Sequence, residues 1–216
     1  MTKDTNNHLL DRIKLIYTER GFKQFFITIL NYIPEQFIYI EYVYKLDLNR
    51  INYIPPYKGL EFKVMSVNDL EYIFNNYREE LGKKIYQNLL EKLKNPQYNG
   101  FIIRKDNEIC GYFFLSYKNT EPNLDIEYVN TKYNGYLSRD HVFKKYRGNK
   151  IHQYAIYKRL EILKQKNYRT ATVLIHKNNY PSITSYKKFG FKNIGIVYYF
   201  HFRKWMKSKI NYKSKK

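Results

Sequence analysis

The alternation of apolar and polar positions divides the chain into segments of two periods. Leu9, Leu10, Ile13 and Ile16 recur at spacings of three and four, which predicts one helix over 6–18. A second helix over 22–32 follows Gly21 and is stopped by Pro34. Residues 37–46 alternate with period two, a strand. Ile54-Pro55-Pro56-Tyr57-Lys58-Gly59 reads as a linker, so the pattern divides the chain into an N-terminal α/β extension over 1–60 and a domain over 61–205.

The second part is more regular. It predicts a strand over 60–67, a helix capped by Ser66 or Asn68 and running to Tyr77, and a helix over 80–94 ended by Asn95-Pro96. Strands over 101–104 and 109–117 meet at Asp106-Asn107 as a hairpin, and strands over 124–131 and 136–143 repeat the arrangement around Asn134-Gly135. A long helix over 148–166 carries Ile151, Ala155, Ile156, Leu160 and Leu163 on one face. A β-branched strand over 170–175, a short helix over 181–189 with Pro181 in its first turn and Gly190 after its end, and a strand over 191–202 complete the order. Residues 206–216 read as a basic tail of low complexity.

Composition narrows the class. The 216 residues are 44% hydrophobic and 19% aromatic, ample material for a core and enough to exclude wholesale disorder. The abundance of Tyr, Lys, Asn and Ile fits A/T-rich coding, so part of it reflects codon usage. The single cysteine, Cys110, excludes an intramolecular disulfide, and its apolar surroundings read as a small buried hydrophobe. Residues 1–10 are polar, unlike a signal peptide, and no apolar run has the length of a membrane span. The expected location is the cytoplasm.

Charge is uneven. The formal net charge is +20, and acids nearly vanish after Asn130, where Asp140 and Glu161 stand alone among many lysines and arginines. A basic field of this kind recruits polyanions: coenzyme A, nucleic acid, acidic lipids or an acidic carrier protein.

Two stretches carry chemistry. Val142-Phe143-Lys144-Lys145-Tyr146-Arg147-Gly148-Asn149-Lys150-Ile151-His152 leads from a strand into a helix, where unpaired N–H groups and the helix dipole favour phosphate. Asn179, Ser182, Tyr186 and Gly190-Phe191 form a spaced series around the short helix. Together with the element order, over about 145 residues, these stretches resemble the GNAT acyltransferases. The first is similar to the family's Gln/Arg-x-x-Gly-x-Gly/Ala loop, with Arg147 at its opening and Lys150 and His152 where Gly and Gly/Ala are usual. The second is similar to the family's C-terminal Asn, small residue, Tyr and Gly-Phe series.

The resemblance implies an α/β (α+β) fold with a mixed, mostly antiparallel central sheet flanked by helices. It also implies acetyl-CoA or another acyl-CoA as co-substrate, with an amine attacking the thioester directly and no metal. Val142, Phe143, Arg147, Gly148, Asn149, Lys150, Ile151, His152, Asn179 and Ser182 are the implied cofactor contacts. Tyr186 is the implied proton donor to the thiolate. Asp140 is the first candidate to take the ammonium proton, because strand alternation groups it with Tyr136, Ser138 and Val142 beside the loop. Glu127 and His141 stand in reserve, and His176 reads as a strand-end cap. Two other readings stay open. One is a basic nucleic-acid-binding or RNA-modifying protein; the other is a member of the fold that takes its acyl group from a carrier protein or has lost catalysis. The acceptor and the oligomeric state are not legible.

Overall fold

The computed structural model describes residues 38–51, 53–56, 59–117, 133–202 and 206–212. The described residues fall into two compact units, one within 41–196 with Tyr212 and the other of 38–40 with those within 197–211. The expected helices of 6–32 and the strand of 124–131 lie outside the described residues, as does Glu127.

In the larger unit the period-two segments become strands. β1 (Ile38–Asp47) enters the sheet from the expected extension and pairs antiparallel with β6 (Thr170–His176), from Glu41↔His176 to Asp47↔Thr170. The strand before the proline linker therefore shares a sheet with those after it. β2 (Leu60–Val64), β3 (Tyr98–Lys105), β4 (Glu108–Ser116) and β5 (Asn134–Val142) follow as antiparallel neighbours. β5 and β6 pair in parallel. With β7 (Lys192–Phe202) the order is β2-β3-β4-β5-β6-β1-β7, a mixed, mostly antiparallel sheet. In the smaller unit the end of β7 lies beside β8 (Met206–Tyr212), a strand where a low-complexity tail was expected.

Local signals account for most ends. Asp106 and Asn107 both take positive φ (50° and 65°), the geometry a two-residue hairpin needs. α1 (Val67–Asn76) begins with a capping box: Ser66 accepts from the Asp69 N–H at 3.1 Å, and Asp69 accepts from the Ser66 N–H at 2.9 Å. α2 (Lys83–Lys94) starts after Gly82, three residues later than the pattern suggests. α3 (Ile151–Gln165) is likewise shorter than 148–166, and α4 (Tyr180–Lys188) carries the expected Pro181 and ends before Gly190 at φ 91°.

Helices cover both faces of the sheet. Leu70, Ile73 and Leu89 of α1 and α2 pack on Ile102, Tyr112 and Phe114. Ile156, Leu160 and Leu163 of α3 pack on the other face with Leu115, Leu137 and Val173. Asn134-Gly135 is not a turn but the first pair of β5. Asn134 accepts from the hydroxyls of Thr170 and Thr172 (2.8 and 2.9 Å), and a Cβ on Gly135 would stand 2.3 Å from Leu163. No helix among the described residues is long and apolar enough to cross a membrane.

Candidate active site

β5 and β6 run together only from Asn134↔Thr170 to Leu137↔Val173. Beyond that point β5 stays with β4, while Leu174, Ile175 and His176 stay with β1. The sheet opens between them into a cavity of about 630 Å³. Its walls are the end of β5, the loop after it, and the first turns of α3 and α4, and they include Asp140, His141, Arg147, His152 and Ser182.

A bulge aims the end of β5. Tyr112 pairs with His141 and Phe114 with Ser138, so Arg139 and Asp140 together oppose Phe113, and Arg139 takes φ 54°. The extra residue reverses the alternation. Ser138 lies across from Phe114 on the α1–α2 face, as Phe143 does, whereas Asp140 meets α3. The expected grouping of Tyr136, Ser138, Asp140 and Val142 is thus corrected: the first two and the last two lie on opposite faces. The same reversal turns His141 to the α1–α2 side. There its ring stacks on Tyr112 (5.2 Å, 16°), and its Nε2 lies 3.1 Å from Glu80 Oε2. Glu80 is fixed by the Lys144 N–H at 3.2 Å. Burial lowers the His141 pKa below its ordinary value, with Glu80 opposing.

The loop into α3 has the form an anion needs. The first helical bond runs from the Tyr154 N–H to the Lys150 carbonyl (3.0 Å), which leaves the N–H groups of Ile151, His152 and Gln153 without a helical acceptor. Gly148 has φ 85° and nothing within 4 Å of a would-be Cβ, so the backbone there is open to a ligand. Lys150 takes φ 58°, the left-handed conformation that a Gly supplies without strain and that costs another L-residue roughly 1–2 kcal/mol. Arg147 donates through Nε to the Val142 carbonyl at 3.2 Å and is otherwise exposed. Asn149 shapes the loop by donating to the Tyr146 carbonyl at 3.0 Å. At α4 the Asn179 side chain caps the Ser182 N–H at 3.3 Å.

Behind the cavity lies a buried charge cluster. Arg159, with its side chain 0% exposed, holds Asp140 with two bonds, Nη1 to Oδ1 at 2.6 Å and Nη2 to Oδ2 at 2.9 Å. Arg159 also donates to the carbonyls of Phe114 (2.8 Å) and Ala155 (3.1 Å). The Tyr186 hydroxyl donates to Asp140 Oδ2 at 2.6 Å, and His152 Nε2 lies 2.9 Å from the same oxygen. Burial alone would raise the Asp140 pKa, but the Arg159 charge and the His152 hydrogen bond outweigh it and hold the carboxyl far below the usual carboxylate range. Burial and then the Asp140 charge push the Tyr186 hydroxyl well above its ordinary value.

Val142, Arg147, Gly148, Lys150, Ile151, His152, Asn179 and Ser182 line the cavity together with Asp140. Phe143 and Asn149, also expected as contacts, are not among the lining residues. Phe143 is 0% exposed and stacks on Tyr77 at 3.8 Å, holding the strand end. Tyr186 is 1% exposed and stands behind the wall. Glu80 and Arg159 were not singled out in the sequence. A cation between Ala155 and Leu163 on the apolar stripe of α3 was a readable signal for Arg159, whereas nothing local marked Glu80.

Residues 66–191 match the model of the Acetyltransferase (GNAT) family. Solved structures share the fold at low identity. A region of a fungal multi-domain GH3 beta-N-acetylglucosaminidase, described as a GCN5-related glucosamine N-acetyltransferase, superposes with a TM-score of 0.57 at 12% identity, over 80% of this chain and 20% of that one. A Drosophila protein gives 0.53 at 11%, over 74% and 50%, and a GCN5-related N-acetyltransferase from Kribbella flavida gives 0.50 at 10%, over 76% and 60%. This chain thus spans less than two thirds of their length. No curated protein matches it. The family match covers more than half of the chain and coincides with the opened sheet and its anion loop, and the chain belongs to the GNAT acetyltransferase family.

Proposed function

We propose that the protein transfers an acyl group, acetyl in the first instance, from acyl-CoA to a primary amine. The observation that carries this reading is the opening between β5 and β6, with the free N–H groups of Ile151, His152 and Gln153 and the side chain of Arg147 at its mouth. The pyrophosphate of CoA would lie against those N–H groups, where the helix dipole and the basic loop favour negative charge. The thioester would then reach the bulge, whose extra residue leaves backbone groups outside the ladder for the carbonyl oxygen.

Proton removal from the ammonium is assigned to His141 rather than Asp140. Asp140 is a poor base, because a carboxylate paired bidentately with Arg159 has little affinity for a proton. His141 lines the cavity and loses positive charge readily through burial. Ionised Glu80 can only accept, so it fixes the proton on Nε2 and leaves Nδ1 as the basic nitrogen.

A screen of amine classes with acetyl-CoA, read by thiol release, tests the reaction. Acceptor-dependent release from at least one class is the expected result. No such release from any class, while calorimetry records CoA binding, removes the transferase activity and leaves a CoA-binding protein.

A further inference from the structure

Between β1 and β2, ahead of the stretch that matches the family from residue 66, the chain reaches the cavity wall. It passes the end of α4, where a Cβ on Gly190 would stand 3.8 Å from the Arg50 carbonyl oxygen. Tyr53 then sets its ring edge-on against Phe189, with centroids 5.0 Å apart at 78°. Its hydroxyl crosses to the first turn of α3 and donates to Gln153 Oε1 at 2.8 Å, a part-buried bond. We infer that the Gln153 amide donates to a diphosphate oxygen of CoA and that Tyr53 is its positioning residue, so that a segment outside the family match completes the donor site. This rests on the acyl-CoA reading given above.

Chemistry and placement meet at Gln153. A primary amide has an oxygen that accepts and a nitrogen with two hydrogens to give. Tyr53 occupies the oxygen, and among the described residues Nε2 has no acceptor. The side chain belongs to a residue that lines the cavity, and its own backbone N–H is one of those without a helical acceptor. Side chains of a helix lean toward its N-terminus, so the amide and the N–H groups present donors on the same side. Phosphate oxygens are acceptors only, and an amide turned the other way would face them with its own oxygen.

The hydroxyl of Tyr53 removes that ambiguity. A phenol donates more strongly than it accepts, so it selects the amide oxygen and leaves the nitrogen for the ligand. Phe189 keeps the Tyr53 ring in place, so the orientation is set before CoA arrives and is not a cost of binding. Arg147 brings formal charge to the mouth, whereas Gln153 brings directed donors without charge.

Calorimetric titration tests this with CoA and with dephospho-CoA, which keeps the diphosphate and lacks the 3′-phosphate. Gln153→Leu should weaken CoA by roughly 10-fold or more, the scale of hydrogen bonds to a charged group. Gln153→Glu keeps the acceptor for Tyr53 but turns a carboxylate toward the diphosphate, and should weaken CoA more than Gln153→Leu does. A brace that merely steadied α3 would survive in Gln153→Glu and leave affinity intact. Tyr53→Phe retains the ring and should weaken CoA by a smaller factor, roughly 2- to 10-fold, with no further loss when added to Gln153→Leu. All these losses should persist with dephospho-CoA. Natural affinity in Gln153→Leu, binding by Gln153→Glu no weaker than by Gln153→Leu, or losses that vanish with dephospho-CoA overturns the diphosphate contact while the CoA site stands. Natural affinity in Tyr53→Phe, or a full additional loss in the double variant, overturns the positioning role. Absence of both heat and a melting-temperature shift with CoA in the natural chain overturns this inference and the acyl-CoA reading together.

Discussion

From Asn134 to Leu137, β5 pairs with β6 and, at Tyr136 and Leu137, with β4 as well, and its side chains are buried. From Ser138 to Val142 the same strand keeps β4, loses β6, and takes an extra residue at Arg139. The first half is held by packing so close that Gly135 leaves no room for a methyl group against Leu163. The second half is held by charge, with Asp140 locked to Arg159 on one face and His141 to Glu80 on the other. The difference is between a segment whose exposure to water is complete only on unfolding and one whose polar groups face a site already open. Stability should therefore be sensitive in the first half and in the buried cluster, and ligand binding in the second half and its loop.

The largest effect is expected at Arg159. Arg159→Met leaves the Asp140 charge buried without its partner, and loss of one partner of a buried pair costs about 3 to 5 kcal/mol. Urea denaturation measures it, and Asp140→Asn in the same chain should recover a large part. The pH dependence has a defined sign. Asp140 binds a proton less readily folded than unfolded, so its contribution is complete above the unfolded carboxylate pKa of about 4 and drains away as the pH falls below that toward the folded value. The double variant should lose this part of its acid sensitivity.

Gly135→Ala comes next. The added Cβ meets Leu163 at 2.3 Å within a side chain that is 0% exposed, and overpacking of this kind costs about 1 to 3 kcal/mol. The effect on CoA affinity should be small, since Gly135 lies in the closed half. A variant that folds with unchanged stability but loses CoA would break the division between the halves.

These positions also mark what was legible. Segments ended by chemistry close in sequence could be read directly: Ser66, one of the two expected caps, the Asp106-Asn107 hairpin, Pro181 and Gly190. Asn134-Gly135 misled because the same dipeptide serves two purposes, and here the glycine answers a helix 28 residues away in sequence at Leu163. The bulge was illegible for a related reason. Its positive φ falls on Arg139, not on glycine, so alternation ran through it unbroken and put Asp140 on the wrong face. Glu80 was read as helix, yet it lies before α2, where the Lys144 N–H and His141 hold it. In each case a contact distant in sequence outweighed a local preference, and those contacts concentrate at the site.

A smaller effect tests the loop. Lys150→Gly relieves the left-handed strain, and the gain, offset by glycine's greater freedom when unfolded, should be at most about 1 kcal/mol. CoA affinity should hold or rise in this variant, since the N–H groups of α3 are untouched. A loss of affinity as large as that from Arg147 would give the Lys150 side chain, rather than the backbone, the main part in binding.

The smallest expected change in stability accompanies the most decisive result. Arg147 is exposed, and its Nη2 is 4.0 Å from Glu80 Oε2, so Arg147→Glu should leave the unliganded melting temperature nearly unchanged. Isothermal titration calorimetry with CoA, on the natural chain and on Arg147→Glu, measures whether the opened end of β5 is a donor site. The account predicts saturable binding of one CoA by the natural chain, with a rise in melting temperature by mass action, and loss of both in Arg147→Glu. No heat and no shift with CoA in the natural chain, or full binding by Arg147→Glu, would contradict it.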